Sequence, residues 1–418
     1  MLSSISEFIR KLILRIGVLL DIDLNYFLKG GTWLTIPFIL DNLLGLIRSI
    51  FFSRFTSPTI YGQFGFVNAV YSTFDFLTLP GVNTALTETV ARGNYGTLTH
   101  AAKTRARWGV LATLAMIATS IYYLFVGQTT MSVALILAGS FMPLLAAFQT
   151  VQAYLNGRKR FDIVSISAIL IAIFNTAAII AVLLLKKGLL MLVLANLSTQ
   201  LIVYLILFLK TRKETLASPV DSNVTQYGKS LTWASVISSI ALEFDNVLLG
   251  LSIGFIDVAI YRIASIIPEA FRSLSKMMVS LSLPKIAEHP TKRVYTSKNQ
   301  KRLAILLLFN FFIVLISILL IPFIIKLLYG ENYLASIPLS QLLMISLAFS
   351  LPSYFFIAAL QARKQTRSIY LYNLIYSILQ IGCLLILVPQ YGTRGVVFSH
   401  IISRFGSTIY QWYAVTKI

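Results

Sequence analysis

Apolar segments of about 20 residues recur along the whole chain, and this pattern limits what the chain can fold into. A helix needs about 20 apolar residues to cross the hydrocarbon core of a bilayer. About twelve such windows fall between residues 31 and 415. Hydrophobic residues make up 57% of the 418 residues and charged residues only 12%, whereas a soluble domain is about 25% charged. The sequence therefore predicts an all-α, polytopic membrane protein.

One of the longest polar connections, about 210–229, divides the predicted spans into two sets of six. We expect residues 30–209 to form an N-lobe of spans 1–6, 210–229 to form a linker, and 230–418 to form a C-lobe of spans 7–12. Six spans per half make the halves parallel repeats, and a shift of 197 positions superimposes their first two spans. Residues 1–29 carry apolar side chains at helical spacing, which predicts an amphipathic helix at the membrane surface.

The net charge of +20 is concentrated on alternate connections. Basic residues cluster after every second predicted span, whereas the opposite connections carry few of them. Connections rich in Lys and Arg face the cytoplasm, so both termini are expected there and no nucleic-acid partner is implied. The clusters are Arg92, Lys103, Arg105 and Arg107; 158–160; Lys210, Arg212, Lys213 and Lys229; 285–302; and Arg363, Lys364 and Arg367.

Charged residues also fall inside the predicted spans, where each one at mid-depth costs about 2.5–3.5 kcal/mol on insertion scales. In span 8, Arg262, Glu269, Arg272 and Lys276 lie within about 80° of one another around a helix. Facing charges on spans 1, 2, 7 and 8 would form a hydrated cleft, or they would pair to fix helix packing. The other spans contribute Asp41, Arg48, Asn68, Asp75, Glu243 and Asp245.

No enzyme motif accompanies these charges. His400 and Arg404 are one turn apart in the last span, where a histidine relays protons or simply packs. The single cysteine, Cys383, lies in an apolar run and allows no disulfide or CxxC metal site. No nucleotide-binding or H-E-x-x-H motif is present, so we predict no catalytic residue, metal or cofactor. Any driving force would come from a proton or Na⁺ gradient or the membrane potential.

Several motifs, in order, resemble those of bacterial polysaccharide flippases in the multidrug/oligosaccharidyl-lipid/polysaccharide exporter superfamily. The resemblance covers nearly the whole chain and depends on SPTIYG at 57–62, LNGRKRF at 155–161, EFDNVLLGLSIG at 243–254, LYGENYLAS at 328–336, LQARKQTRS at 360–368 and LVPQYGTRGVVFS at 387–399.

The resemblance implies two six-helix lobes around a central cavity that work by alternating access in the bacterial inner membrane. The substrate would be a polyprenyl-pyrophosphate-linked oligosaccharide for O-antigen, capsule or exopolysaccharide assembly. A polysaccharide polymerase and chain-length machinery are the implied partners. In related peptidoglycan-precursor flippases, arginines on spans 1 and 8 line the cavity, and the matching residues are Arg48 and Arg262. Those relatives have an acidic residue after the first arginine, whereas this chain has Ser49.

These arguments assign predicted roles and leave alternatives open. Arg48, Arg262 and Arg272 are expected to bind the pyrophosphate, because guanidinium forks suit phosphate oxygens. An organic-cation exporter of the same superfamily would favour an acidic cavity. A membrane polymerase or ligase would need a longer outer loop, and a scaffold subunit would not need the charged stripe. The charge-balancing or ion-coupling candidates are Asp41, Asp75, Asp245 and Glu269, and the secondary candidates are Lys276, His400 and Arg404.

Overall fold

The computed structural model describes residues 32–215, 218–288, 297–347 and 350–417; within these ranges, side chains are described except at 32–35, 274, 276–288, 297–307, 309 and 351. The predicted N-terminal amphipathic helix and the side chain of Lys276 lie outside the described part.

All regular structure in the described ranges is helical, as expected where the bilayer offers no water to satisfy backbone groups. The N-lobe helices are α1 (Thr32–Phe55), α2 (Pro58–Phe74), α3 (Gly81–Ala91), α4 (Thr97–Phe125), α5 (Thr129–Phe148), α6 (Thr150–Gly157), α7 (Phe161–Leu184) and α8 (Gly188–Thr215). The C-lobe helices are α9 (Val224–Ser252), α10 (Phe255–Glu288), α11 (Ser297–Tyr329), α12 (Ser336–Leu347), α13 (Ser350–Ala362), α14 (Thr366–Tyr391) and α15 (Thr393–Thr416).

Three of the spans are interrupted, each made of a consecutive pair of helices: α2 with α3, α5 with α6, and α12 with α13. The described residues thus form twelve spans, six in each lobe, which confirms the predicted fold class. Nine of these segments are long and apolar enough to cross a membrane by length and composition. Of the other three, α2–α3 is broken into helices of 17 and 11 residues, and α10 and α15 carry charged side chains that lower their apolarity.

The connections alternate between two ends of the bundle. One end, called the basic end below, carries the turns at Arg92, 158–160 and 363–365, together with the connection between α8 and α9. That connection is shorter than the predicted 210–229, because α8 continues to Thr215 and α9 begins at Val224. Helical hydrogen bonding continues past the apolar boundary, so hydropathy alone underestimates these helices.

The break in the second span is held by a buried arginine. Asp75–Thr78 form a 3₁₀-helix, and Leu79 then adopts a left-handed conformation with φ 60°. Arg105 of α4 is 1% exposed and donates to the Thr78 carbonyl at 3.2 Å and to its hydroxyl at 2.6 Å. Its guanidinium also lies 3.7 Å from Asp75. Assigning Arg105 to a basic connection was therefore wrong, because the side chain turns into the bundle.

The two halves repeat each other in detail. Phe55 and Ser252, which end α1 and α9, are 197 positions apart, and so are Pro58 and Phe255, which begin α2 and α10. A second pair of equivalent turns, 158–160 and 363–365, differs by 205 positions. Lys159 and Lys364 both have left-handed φ angles, 59° and 56°, within the same hydrogen-bond pattern.

The lobes meet along the second span, which packs on α9 and α10. Near the basic end, Gly81 approaches so closely that a methyl group there would lie 2.4 Å from the Gly228 carbonyl oxygen. The Gly81 amide donates to Thr232 at 3.0 Å. At the opposite end, Arg54 donates to the carbonyl groups of Leu327 and Leu328, at 2.5 and 3.0 Å. The lobes are therefore in contact near both ends of the bundle.

Candidate functional site

A cationic cluster lies where the lobes meet, and we define it as Arg48, Tyr61 and Arg262. Arg262 of α10 reaches across to α2, where its Nη1 lies 3.5 Å from the Gly65 carbonyl oxygen. A methyl group at Gly65 would lie 2.5 Å from Cδ of Arg262, so the glycine makes room for the arginine. The Tyr61 side chain of α2 interacts electrostatically with both Arg262 and Arg48. Side chains from both lobes thus converge on one tyrosine.

Arg48 is held on the N-lobe side of this cluster. It donates to the Thr176 hydroxyl of α7 at 3.1 Å and lies 3.4 Å from Asp41. Asp41 is 63% exposed and Arg48 is 22% exposed, and their separation of 3.4 Å is longer than a usual charge-assisted hydrogen bond, so this ion pair is loose. The guanidinium is therefore positioned by α7 rather than neutralised in a tight ion pair.

A separate cavity of about 470 Å³ lies inside the C-lobe, and we call it the C-lobe cavity. It is lined by α9, α10, α12, α13, α14 and α15 and by no N-lobe residue. Polar and aromatic side chains make up much of its wall. They include Gln361, Asn373, Tyr354, Tyr372 and Tyr376, together with Glu269, Arg272 and Arg404.

A buried polar network forms one wall of this cavity. The Tyr261 hydroxyl donates to Asp245 at 2.6 Å, and His400 Nε2 lies 3.2 Å from the same carboxylate. Gln380 contacts the His400 ring, and Ser403 donates a short hydrogen bond to Gln380. Low-polarity surroundings make a complete network of this kind rigid, because any unpaired member would be costly.

The predicted site residues divide into separate groups rather than one cleft. Arg48 and Arg262 come together at the lobe interface. Arg272 instead lies in the C-lobe cavity, 3.6 Å from Glu269 on the same helix. The remaining candidates are distributed as follows: Asp41 beside Arg48, Asp75 beside Arg105, Asp245 beside His400, and Arg404 on Ser350 with an Nη1 to Oγ distance of 2.7 Å.

The 197-residue shift makes Asp75 equivalent to Arg272 and Arg48 equivalent to Asp245, so equivalent positions of the two halves hold opposite charges. Asp75 was matched to Arg272 by the 197-residue shift, but each has its own partner inside its lobe. Arg48 and Asp245 are likewise matched positions with separate partners. A charge inside the membrane is costly unless it has a partner. A partner on a helix of the same lobe is closer than one on the other lobe and stays packed beside the charge. Any functional role of these acids, including ion coupling, stays a prediction.

Sequence reasoning missed two features of this region. The first is the buried position of Arg105, because Arg105 was grouped with three basic residues of the same connection. The second is the set of tyrosines on α13 and α14, for which a signal existed: Tyr372 and Tyr376 are four residues apart and share a helix face with Asn373 nearby. Within the described part of the chain, no three His, Cys, Asp or Glu side chains group as a metal site.

The described residues form a multi-pass membrane protein of two six-span lobes, with arginines where the lobes meet and a polar cavity lined by one lobe. The chain belongs to the family of polysaccharide biosynthesis proteins, whose profile matches residues 27–290, more than half of its length. A search of curated protein sequences found no match.

Solved structures show the same fold. The lipid II flippase MurJ, in an inward closed conformation, has a TM-score of 0.72 at 15% identity, covering 91% of this chain and 87% of that one. An inward-facing multidrug resistance MATE transporter of the MOP superfamily has a TM-score of 0.63 at 15% identity, covering 92% and 98%. A MOP superfamily transporter from Pyrococcus furiosus, described by the reverse polarity of its binding pocket, has a TM-score of 0.62 at 12% identity. The match covers 96% of this chain and 98% of that one. These similarities establish the fold alone.

Proposed function

We propose that this protein flips a polyprenyl-pyrophosphate-linked oligosaccharide from the cytoplasmic to the outer leaflet of the bacterial inner membrane. In this proposal the basic end faces the cytoplasm, following the charge bias of the connections. The product would serve the assembly of a surface polysaccharide, with a polymerase acting next. The substrate's lipid tail stays in the bilayer while its headgroup passes between the lobes.

The observation that carries the proposal is the cationic cluster of Arg48, Tyr61 and Arg262. A pyrophosphate carries several negative charges, and a guanidinium stays protonated and binds phosphate oxygens in pairs. The two arginines belong to different lobes, so a phosphate between them would contact both halves of the transporter. Rocking of the lobes would then change its surroundings without requiring it to move far.

The cluster also separates this proposal from an organic-cation exporter, which shares the fold. Two arginines beside a tyrosine repel a cationic drug and attract an anion. Glu243 and Glu269 interact electrostatically with the Arg262 guanidinium and partly offset its charge. The Asn246 amide donates to Glu243 at 3.3 Å and to Asp245 at 3.1 Å, so Glu243 is linked to the Asp245 network through Asn246.

The experiment uses cells depleted of the protein and complemented with variants. Lipid-linked oligosaccharides are extracted and quantified by mass spectrometry, and the leaflet that exposes them is determined by labelling in spheroplasts. We expect accumulation in the cytoplasmic leaflet, rescued by the wild type but not by Arg262→Gln. Arg160→Gln serves as the matched control, because Arg160 is 54% exposed at a turn and pairs with Asp162 two residues away.

Three outcomes are informative. Accumulation on the cytoplasmic side with failure of Arg262→Gln supports the flippase and identifies its glycan. Unchanged intermediates after depletion contradict it. Intermediates that accumulate already exposed on the outer side point instead to a polymerase or a scaffold subunit.

A further inference from the structure

The C-lobe cavity has the size and chemistry of a binding site for a neutral polar ligand. Its volume of about 470 Å³ lies within the range of about 300–1,000 Å³ usual for small-molecule sites. Tyr354, Tyr372 and Tyr376 line it, and each offers a flat apolar ring with a hydroxyl at its tip. Asn373 and Gln361 add amide donors and acceptors. Aromatic faces combined with amides suit sugar rings, which present C–H faces edged by hydroxyl groups.

The charges of the cavity argue against a phosphate. Arg272 is paired with Glu269 at 3.6 Å, and Asp245 is enclosed by Tyr261 and His400. Arg404 is the remaining cation, and the two carboxylates offset the two guanidinium groups. A pyrophosphate would have to displace Glu269 from Arg272, whereas a hydroxyl group accepts from the arginine and donates to the carboxylate at the same time.

The cavity and the cationic cluster are neighbours on adjacent sides of α10. Tyr261 and Arg262 are consecutive residues, and Tyr261 faces the C-lobe network while Arg262 faces Gly65 of the N-lobe. Glu269 connects the two places, because it lines the cavity and also interacts with Arg262. Its side chain is 57% exposed, so the wall is open at that point.

We propose that the C-lobe cavity binds the sugar residues of the substrate, while the pyrophosphate stays at Arg48 and Arg262. Arg272 then contacts glycan hydroxyl groups rather than phosphate, in contrast to the role predicted from the sequence. This inference rests on the proposed flippase function and adds a second subsite to it. The C-lobe is then the part of the protein that recognises the glycan.

The test uses the single cysteine of the chain. Replacing Cys383 by serine gives a background without cysteine, into which one reporter is introduced at a time. Ser238→Cys places a thiol on the cavity wall, and Ser265→Cys is a second cavity reporter in case the first does not fold. Gly45→Cys reports on the cationic cluster, because Cβ at this position would lie 3.6 Å from Nη2 of Arg48.

The purified variants, in lipid nanodiscs, are labelled with a maleimide in the presence of two probes. The first probe is the lipid-linked oligosaccharide extracted from depleted cells, and the second is polyprenyl pyrophosphate without sugars. A probe at about ten times its Kd leaves about a tenth of the sites free, so labelling slows about tenfold where the probe covers the thiol. We expect the first probe to protect both sites and the second to protect only Gly45→Cys.

Each other outcome is decisive. Protection of Gly45→Cys by both probes, with the cavity reporters unaffected by either, overturns the glycan subsite and leaves the flippase function standing. Equal protection of the cavity reporters by the sugar-free probe also overturns it, because the lipid pyrophosphate would then occupy the cavity. If neither probe protects any reporter, the flippase function itself fails and the subsite fails with it.

Discussion

Replacement of Arg105 by methionine should destabilise the protein more than any change at a neighbouring basic residue. The side chain makes two hydrogen bonds to Thr78 and an ion pair with Asp75. Breaking a buried charge pair costs about 3–5 kcal/mol when one partner remains. We expect the lower value, about 3 kcal/mol, because Asp75 is 40% exposed and keeps its hydrogen bond from the Thr78 hydroxyl at 2.9 Å. The main loss is the Thr78 carbonyl, left without its charged donor in the break of the second span.

The measurement is the apparent melting temperature of the detergent-solubilised protein, followed by fluorescence-detected size-exclusion chromatography. Arg107→Met is the matched control, since Arg107 lies two residues away on the exposed side of the same helix. We expect Arg105→Met to melt several degrees below the wild type and Arg107→Met to melt with it. Equal melting of both variants would refute the claim that Arg105 holds the break together.

Three further predictions concern Gly65, Asp245 and Arg54. Gly65→Ala should leave expression intact but abolish flipping, because the new methyl group displaces the flexible Arg262 side chain; normal flipping in cells would contradict this. Asp245→Ala should lower stability by about 3 kcal/mol in the same melting assay, since it leaves two buried partners unpaired, and an unchanged melting temperature would count against the network. Arg54→Gln should weaken closure at the end opposite the basic connections, measured as faster labelling of a nearby introduced cysteine; unchanged labelling would show that other contacts keep it shut.

The sequence predicted most of the architecture because the membrane restricts which residues the spans and the connections contain. Spans need apolar runs and connections carry the charge bias, so the number of spans and their division into lobes follow from hydropathy. The 197-residue shift was also readable, and the ends of α1 and α9 agree with it. Hydropathy does not indicate the direction in which a long side chain extends. The assignment of Arg105 was wrong for this reason.

The candidate site was predicted only in part. Helical spacing placed Arg262, Glu269 and Arg272 on one stripe, and α10 is indeed continuous through them. A stripe about 80° wide still spans two different neighbours, so Arg262 meets the N-lobe while Arg272 meets the interior of its own lobe. Which neighbour a residue meets depends on how helices pack around it, and a single sequence does not determine that.

The interruption of the second span has a consequence for how the two lobes separate. Its α2 half contacts Arg262 through Gly65, whereas its α3 half contacts α9 through Gly81. Because the helix is broken between these contacts, the span consists of two short helices joined at Leu79 instead of one continuous helix. In the proposed transport cycle, one half of the span separates from its C-lobe contact while the other half keeps its own, so that the passage opens towards one side of the membrane at a time.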